Sequence, residues 1–203
     1  DQPDISLLDL PFPLNMYYHV TDACDKHCIY CFLNNKQKKL ENEILTEKEL
    51  KNIIDQLSYW GVKNIVLSGG EPFLRTDIFR ILEYASNYGI WTTITTKHYF
   101  IEKEAEILGN LGNIEIGLSY DSHINKIADF LSGMKNHALR MQESIKWLLK
   151  YNVDVNLQPI ITAVNIDYID DYLRHVEKLG ISKVTFHPYM PIGSFVDEIL
   201  ICS

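Results

Sequence analysis

The sequence lacks the features by which membrane, secreted and nucleic-acid-binding proteins are recognised. No apolar run approaches the roughly 20 residues that a membrane-spanning helix needs, and the stretch from Asp1 has neither the basic start nor the apolar centre of a signal peptide. Lysine and arginine total 19 against 27 aspartates and glutamates, for a net charge of −8, and no basic stripe could follow a phosphate backbone. We therefore expect a cytoplasmic protein that binds neither a membrane nor duplex nucleic acid.

Cysteine is also scarce, and its placement is uneven. Four cysteines without a secretion signal do not suggest a disulfide framework. Three of them, Cys24, Cys28 and Cys31, fall within eight residues, too close together to link distant parts of a fold. This clustering predicts a metal site, whereas the lone Cys202 near the end of the chain is interpreted as incidental.

Long linkers, low-complexity segments and internal repeats are absent as well. With 203 residues, 46% of them hydrophobic and 23% charged, the chain has the length and composition of one compact domain. We expect residues 1–203 to form that single domain. Because the chain starts at Asp1 instead of methionine, we also expect an excerpt of a longer protein with a further C-terminal part.

Strand-like and helix-like patterns alternate along the chain. Six apolar runs rich in Ile, Val, Tyr and Thr are predicted strands, at 14–20, 62–67, 90–95, 114–118, 153–161 and 183–186. Four stretches with the 3.6-residue period are predicted helices, at 46–60, 77–88, 137–151 and 165–179. Thr46 and Glu49 form a capping-box pattern, and Gly61, Gly89 and Gly180 follow helix ends.

This alternation requires βαβ crossovers and a parallel sheet. Six βα units are too few to close an eight-stranded barrel. The predicted fold class is therefore α/β, a partial (βα)6 barrel with a parallel sheet, and a doubly wound sheet is the alternative. In both folds the ligand site lies at the C-terminal ends of the strands.

The three clustered cysteines follow the first predicted strand in the pattern CxxxCxxC. Thiolates are the usual ligands of iron–sulfur clusters, and a cubane cluster has four irons, so three cysteines leave one iron open to a further ligand. Two other interpretations are a zinc site completed by His27 or His19 and a redox pair formed by Cys28 and Cys31 alone. Zinc sites favour a second ligand pair further along the chain, and the redox pair leaves the first cysteine without a role.

A second motif, SGGEPFLR at 68–75, follows the second predicted strand. Consecutive glycines let a backbone approach a ligand closely. Glu71 beside them could pair with an ammonium group, and Pro72 restricts the turn. A tight βα turn with no ligand is the alternative interpretation.

These two motifs, in this order, resemble the radical S-adenosylmethionine (SAM) superfamily, in which an aromatic residue, here Tyr30, precedes the third cysteine. The resemblance implies that the three cysteines ligate a [4Fe–4S] cluster whose open iron takes the amino and carboxylate groups of S-adenosyl-L-methionine. It also implies that Tyr30 lies near the adenine. Gly69, Gly70, Glu71 and Pro72 match the family's GGEP motif, which holds the methionine amino group.

Later segments are similar to the SPASM and Twitch branch of this superfamily. In LSYDS at 118–122, Ser119 matches a serine that contacts SAM. Lys126 and Arg140 are candidates for an arginine that commonly follows. After the third strand Lys97 stands where many relatives have asparagine, and it either reaches a carboxylate of SAM or substrate or is an ordinary surface lysine. The resemblance places backbone near 158–161 and 189–190 at the adenosine.

The function implied is that of a radical SAM enzyme, which reductively cleaves SAM to a 5′-deoxyadenosyl radical that takes a hydrogen atom from a substrate. Resemblance to SPASM-type maturases favours peptide or protein maturation, and a small molecule is the alternative substrate. The implied partner is a low-potential electron donor such as a flavodoxin or ferredoxin. The auxiliary cluster domain of that branch is absent from these 203 residues. The rival from another class is a non-catalytic metal-binding or electron-transfer module.

Overall fold

A computed structural model describes residues 15–31, 45–191 and 200–201 of the chain. Its main sheet has five strands, which are β1 (Asn15–Thr21), β2 (Asn64–Gly69), β3 (Trp91–Thr96), β4 (Ile114–Leu118) and β5 (Asp154–Leu157). Neighbouring strands pair in parallel, and their order in the sheet is their order in the chain. Because right-handed crossovers in one direction put all helices on one face, this order gives an open barrel. A doubly wound sheet would reverse its strand order.

The six helices of the described residues are α1 (Glu47–Tyr59), α2 (Ile78–Asn87), α3 (Glu102–Leu111), α4 (Asn125–Ser132), α5 (His137–Lys150) and α6 (Ile169–Lys178). Two 3-10 turns span Pro72–Leu74 and Ile166–Tyr168. The four predicted helices are confirmed as α1, α2, α5 and α6, the last preceded by the second turn. None of the helices in these ranges is long and apolar enough to span a bilayer.

The helix-end signals in the sequence are confirmed at the start of α1 and after α1, α2 and α6. Thr46 and Glu49 form the predicted capping box, and Gly61, Gly89 and Gly180 adopt positive φ beyond their helices. Helices α3 and α4 were not predicted. Each is preceded by an isoleucine, whose side chain cannot accept a capping hydrogen bond, so the usual start signal is missing.

The last two predicted strands differ from the observed ones. The run at 153–161 is divided into β5 and the short β6 (Ile160–Ile161), because Pro159 between them has no N–H to donate. In the run at 183–186, only Val184 pairs, through an isolated bridge to Leu157. Strand β7 (His187–Pro188) follows it and pairs in parallel with β6.

Alternate residues of the strands face two different environments. Ile65 and Leu67 point towards α1, where they border a small apolar space with Leu50 and Ile54. The opposite, concave face carries polar side chains, such as Thr93, whose hydroxyl donates to Glu115. The apolar core therefore lies between the sheet and the helices, and polar groups line the inside of the open barrel.

Candidate functional site

A cavity of about 370 Å³ opens at the C-terminal ends of the strands, as predicted. This volume is within the range of roughly 300–1,000 Å³ that is typical of ligand sites. The predicted site residues that line it are Cys24, Cys28, Tyr30, Cys31, Gly69, Gly70, Glu71 and Ser119. Pro72 is buried next to it, at the first position of the 3-10 turn. The structure thus brings together motifs that lie far apart in the chain.

The segment after β1 that carries the three cysteines, residues 22–31, is called the cysteine loop, and it is anchored by helix α4. The amide of His27 donates to the carbonyl of Ser132, and the amide of Ile29 donates to that of Leu131, both at 3.1 Å. Gly133 follows with a φ of +67°, and a Cβ there would lie 2.6 Å from the Cβ of His27. A helix without a sequence signal therefore determines the position of the predicted metal ligands.

None of the three cysteines is part of a disulfide, and they differ in their exposure. Cys28 is buried, and Cys24 and Cys31 are half-buried. Burial raises the pKa of the Cys28 thiol to about 12, against the opposing effect of the Lys97 ammonium. Burial also raises the pKa of Cys24. A thiolate at these positions needs a positive metal centre to replace its lost hydration, and this requirement fits an iron–sulfur cluster.

No group of three Cys, His, Asp or Glu side chains is arranged to hold a single metal ion in the ranges that the structure describes. A cubane cluster does not need such an arrangement, because its cysteines bind different irons. The three thiols nevertheless border one cavity. The donor set therefore fits the cluster that the motif implies. Cys202 lies outside the described residues.

The two glycines of the second motif pack against the cysteine loop. The amide of Gly70 donates to the carbonyl of Thr21, and the amide of Glu71 donates to that of Ala23, both at 2.7 Å. A Cβ on Gly69 or Gly70 would come closer than 3.0 Å to these same carbonyl oxygens. The two glycines therefore join the two motifs by backbone contact, and both also line the cavity.

The carboxylate of Glu71 is buried at the cavity wall. One oxygen accepts hydrogen bonds from the amide of Phe73, at 3.2 Å, and from the hydroxyl of Thr96. The other accepts from the amide of Lys97 at 2.9 Å. Three of about four acceptor positions of a carboxylate are thus used, which leaves one for a ligand.

A buried polar cluster of Tyr30, Lys97 and Asp121 joins the segments that follow β3 and β4 to the cysteine loop. The hydroxyl of Tyr30 donates to Asp121, and the Lys97 ammonium lies 3.0 Å from the same carboxylate oxygen. The second oxygen of Asp121 accepts from the amide of Ile160 at 2.9 Å. Burial alone would lower the pKa of Lys97, but the pKa is raised, because the charges of Asp121, Cys28 and Glu71 and the hydrogen bond to Asp121 together outweigh the effect of burial.

Sequence reasoning gave Lys97 two alternative interpretations, reaching a carboxylate of SAM or substrate or lying at the surface, and it gave Asp121 no role. Lys97 is 8% exposed and lines the cavity, so its interpretation as a surface lysine is wrong. The sequence feature that could have indicated its burial is its position directly after the third predicted strand, whose residues are largely buried. Lys126 and Arg140 are exposed and are not among the cavity-lining residues, and Arg140 instead lies 3.5 Å from the centre of the Tyr99 ring.

Comparison with protein families gives a match to the Radical SAM superfamily over residues 18–186. Among curated proteins, GTP 3′,8-cyclase of Listeria monocytogenes is 31% identical over 189 residues, which cover 86% of this chain and 53% of that protein. PqqA peptide cyclase of Bradyrhizobium diazoefficiens is 23% identical over 200 residues, covering 92% of this chain and 52% of the relative. The chain thus spans about half the length of these relatives.

Among solved structures, SuiB of Streptococcus suis bound to S-adenosylmethionine has the same fold. Its TM-score is 0.81 at 24% identity, and the match covers 91% of this chain and 42% of SuiB. SuiB bound to its precursor peptide SuiA matches with a TM-score of 0.78, over 94% of this chain and 43% of that one.

Proposed function

The chain belongs to the radical SAM superfamily, and on this premise we propose that it is an enzyme that cleaves S-adenosyl-L-methionine reductively at a [4Fe–4S] cluster. The proposed cluster ligands are Cys24, Cys28 and Cys31. The observation that carries the proposal is the meeting of the CxxxCxxC loop and the GGEP turn at one cavity. A metal-binding module without SAM chemistry would not need that turn.

When bound, the cluster and SAM supply a 5′-deoxyadenosyl radical for hydrogen abstraction from a substrate. The chain's own residues hold and shield the reactants. Glu71 has an acceptor position left for the methionine ammonium, and Ser119 and Tyr30 line the same cavity. Ile160, Pro188 and Met190 form an apolar part of the cavity lining.

The test is anaerobic reconstitution of the protein with iron and sulfide, followed by addition of SAM and dithionite. We expect 5′-deoxyadenosine to form, as measured by liquid chromatography and mass spectrometry. Protein carried through the same procedure without iron is the control. Stoichiometric binding of zinc, with no 5′-deoxyadenosine from the iron-loaded protein, would contradict the proposal.

For the substrate, we propose a peptide, with a flavodoxin or ferredoxin as the electron donor. PqqA peptide cyclase aligns over most of the chain, and the fold matches SuiB in complex with the SuiA peptide. A nucleotide is the second candidate, because GTP 3′,8-cyclase has the higher identity of the two curated relatives.

The two substrate classes can be separated by their effect on the loaded enzyme. A peptide fraction from the source organism should increase 5′-deoxyadenosine formation above the rate without substrate, and digestion of that fraction with a broad protease should remove the effect. If GTP increases the rate and the peptide fraction does not, the nucleotide is the substrate class and the peptide proposal fails.

A further inference from the structure

The cysteine loop reaches the protein surface on a side that is separate from the cavity. His27, between the proposed cluster ligands Cys24 and Cys28, is exposed and is not one of the cavity-lining residues. Because the cavity is the space for SAM and substrate, a protein that delivers an electron has to approach the cysteines from another side. The surface around His27 offers such an approach, one residue away from the buried Cys28.

The surface around His27 is formed by the end of α4 and the start of α5. The His27 amide donates to the Ser132 carbonyl at 3.1 Å. The Asp129 carboxylate accepts from the amides of Asn136 and His137, at 3.0 and 2.7 Å, and so joins α4 to the first turn of α5. We define the α4–α5 face as the exposed basic and apolar side chains of this surface that do not line the cavity, which are His27, Phe130, Lys135, Leu139 and Arg140.

The two helices are basic in a protein that is acidic overall. From residue 125 to residue 150 the chain has five lysine and arginine residues against two acidic ones, Asp129 and Glu143, whereas the net charge of the whole chain is −8. Lys135 and Arg140 have no ion-pair partner among the described residues. A positive face on a negative protein attracts an acidic partner and steers it to this side.

The α4–α5 face also exposes two large apolar side chains. Phe130, in the last turn of α4, is 45% exposed, and Leu139, in the first turn of α5, is 59% exposed. Exposed apolar groups with polar neighbours are typical of surfaces that bind another protein. Transient electron-transfer complexes bury less than about 1,200 Å² in total, so two helix ends and one loop residue are a sufficient area.

A single aromatic ring connects this face to the cysteine loop. The Arg140 guanidinium lies 3.5 Å from the centre of the Tyr99 ring, and the ammonium of Lys26, in the cysteine loop, lies 4.9 Å from the same centre. Burial raises the pKa of Tyr99 to about 12, and the charge of Cys28 acts in the same direction, which places the ring near this cysteine. Electron transfer slows steeply with distance, so a donor on the α4–α5 face would be well placed to reduce a cluster held by the cysteines.

We propose that the α4–α5 face is the docking site of an acidic electron-transfer protein of the flavodoxin type. This inference rests on the proposed function and adds the surface at which its electron donor binds. One electron passes from the donor to the cluster, so the donor is oxidised and the cluster is reduced by one electron. Lys135 and Arg140 attract and orient the donor, and Phe130 and Leu139 supply the apolar contact.

The test compares two reductants on the reconstituted protein. Lys135→Glu/Arg140→Glu should lower the formation of 5′-deoxyadenosine with reduced flavodoxin about 10-fold at low salt, because charge reversal removes the electrostatic attraction. Dithionite is a small molecule that needs no docking face, so with dithionite the rate should stay within about twofold of the wild type. Salt at about 1 M, where the Debye length is about 3 Å, should slow the wild type with flavodoxin and reduce the difference between the two proteins.

The matched control is Lys63→Glu/Lys178→Glu, which changes the net charge equally. These lysines are exposed before β2 and at the end of α6, and the variant should keep the wild-type rate with flavodoxin. An equal loss in both double variants, a wild-type rate with flavodoxin in Lys135→Glu/Arg140→Glu, or an equal loss with both reductants would overturn the inference. Failure of the wild type to form 5′-deoxyadenosine with dithionite would instead contradict the proposed function.

Carbodiimide cross-linking tests the same face without a variant and without turnover. The reagent joins a lysine of one protein to a carboxylate of another protein in direct contact with it. In a mixture of the reconstituted wild type and flavodoxin, we expect Lys135 to be coupled to a flavodoxin carboxylate, as identified by mass spectrometry of the peptides. Cross-links confined to lysines outside residues 125–150, such as Lys63 or Lys178, would place the docking site elsewhere and overturn the inference.

Discussion

At the residue scale, Cys28 gives the clearest test of whether the three clustered cysteines bind an iron–sulfur cluster. It is the buried member of the cysteine triad, and burial raises the pKa of its thiol to about 12 despite the opposing Lys97 charge, so a bound metal centre is needed to keep it a thiolate. Cys28→Ala should abolish cluster assembly, reducing bound iron from about four atoms per chain to background. Cys202→Ala should retain the full iron content. Iron and acid-labile sulfide assays check both variants, and the reverse pattern would overturn the ligand assignment.

His137 makes the stability of the fold sensitive to acid. It is fully buried, its Nδ1 lies 2.7 Å from the Tyr99 hydroxyl, and its Nε2 has no hydrogen-bond partner in the described structure. Burial lowers the pKa of His137 to about 4, and the Lys97 charge acts in the same direction. The folded protein therefore keeps this histidine neutral at pH values where the unfolded chain protonates it.

Because the pKa is lower in the folded state, the stabilisation is present above about pH 6.5 and is lost as the pH falls towards 4. The loss should approach roughly 3 kcal/mol of unfolding free energy, from about 1.4 kcal/mol per pKa unit. Urea unfolding between pH 7 and pH 4 measures it. In His137→Gln, which cannot titrate, the decrease should be smaller by that amount, and equal slopes for both proteins would refute the assignment.

At the scale of elements, the turn after β2 and the loop after β1 form one unit. Their contact depends on backbone atoms that approach too closely for a side chain at either glycine. This explains why the cysteine motif and the GGEP motif lie at neighbouring strand ends. Helix α4 completes the unit from the other side through its last carbonyl groups.

Gly70→Ala should separate the two motifs. Its Cβ would meet the Ala23 carbonyl oxygen, which is backbone and cannot move alone, so we expect a loss of about 3 kcal/mol in stability and a lower iron content. Gly89→Ala is the control, because nothing lies within 4 Å of its Cβ and only the positive φ of +67° opposes it. That variant should lose about 1 kcal/mol and retain iron. Thermal unfolding and iron assays compare the two, and equal effects would contradict the packing role.

At the scale of the whole molecule, Asn165 joins the main sheet to the β6–β7 pair that forms one cavity wall. Its side-chain amide donates to the carbonyls of Asp121 and Ile160, both at 2.9 Å. Its side-chain oxygen accepts from the amide of Thr162 at 2.8 Å. A single buried amide therefore connects the end of β4, strand β6 and the start of the last helical segment.

Asn165→Ala should destabilise the protein by about 2–4 kcal/mol, because it leaves several buried backbone groups without partners. Asn52→Ala, at an exposed site on α1, should change stability by less than about 0.5 kcal/mol. Chemical unfolding measures both. Hydrogen exchange at Ile160 should also become faster in the first variant only, and unchanged exchange would show that the wall does not depend on Asn165.

The sequence by itself determined the α/β class, the parallel order of the main strands and the meeting of the two motifs at one edge. Strand and helix periodicities are local, and the C-terminal ends of parallel strands converge in any such topology. The cysteines and Glu71 could therefore be placed without coordinates. Pro159 is a local signal too, and reading it would have divided the predicted fifth strand.

Only the tertiary structure decided the burial of Lys97, its pairing with Asp121 and the support of the cysteine loop by α4. Tyr30 and Asp121, which it joins by a hydrogen bond, are 91 positions apart, and neither belongs to a periodic pattern that predicts the other. Whether a lysine is solvated or buried depends on which anion the fold brings within reach. That choice is made when distant segments pack, because burying the charge is favourable only with a partner in place.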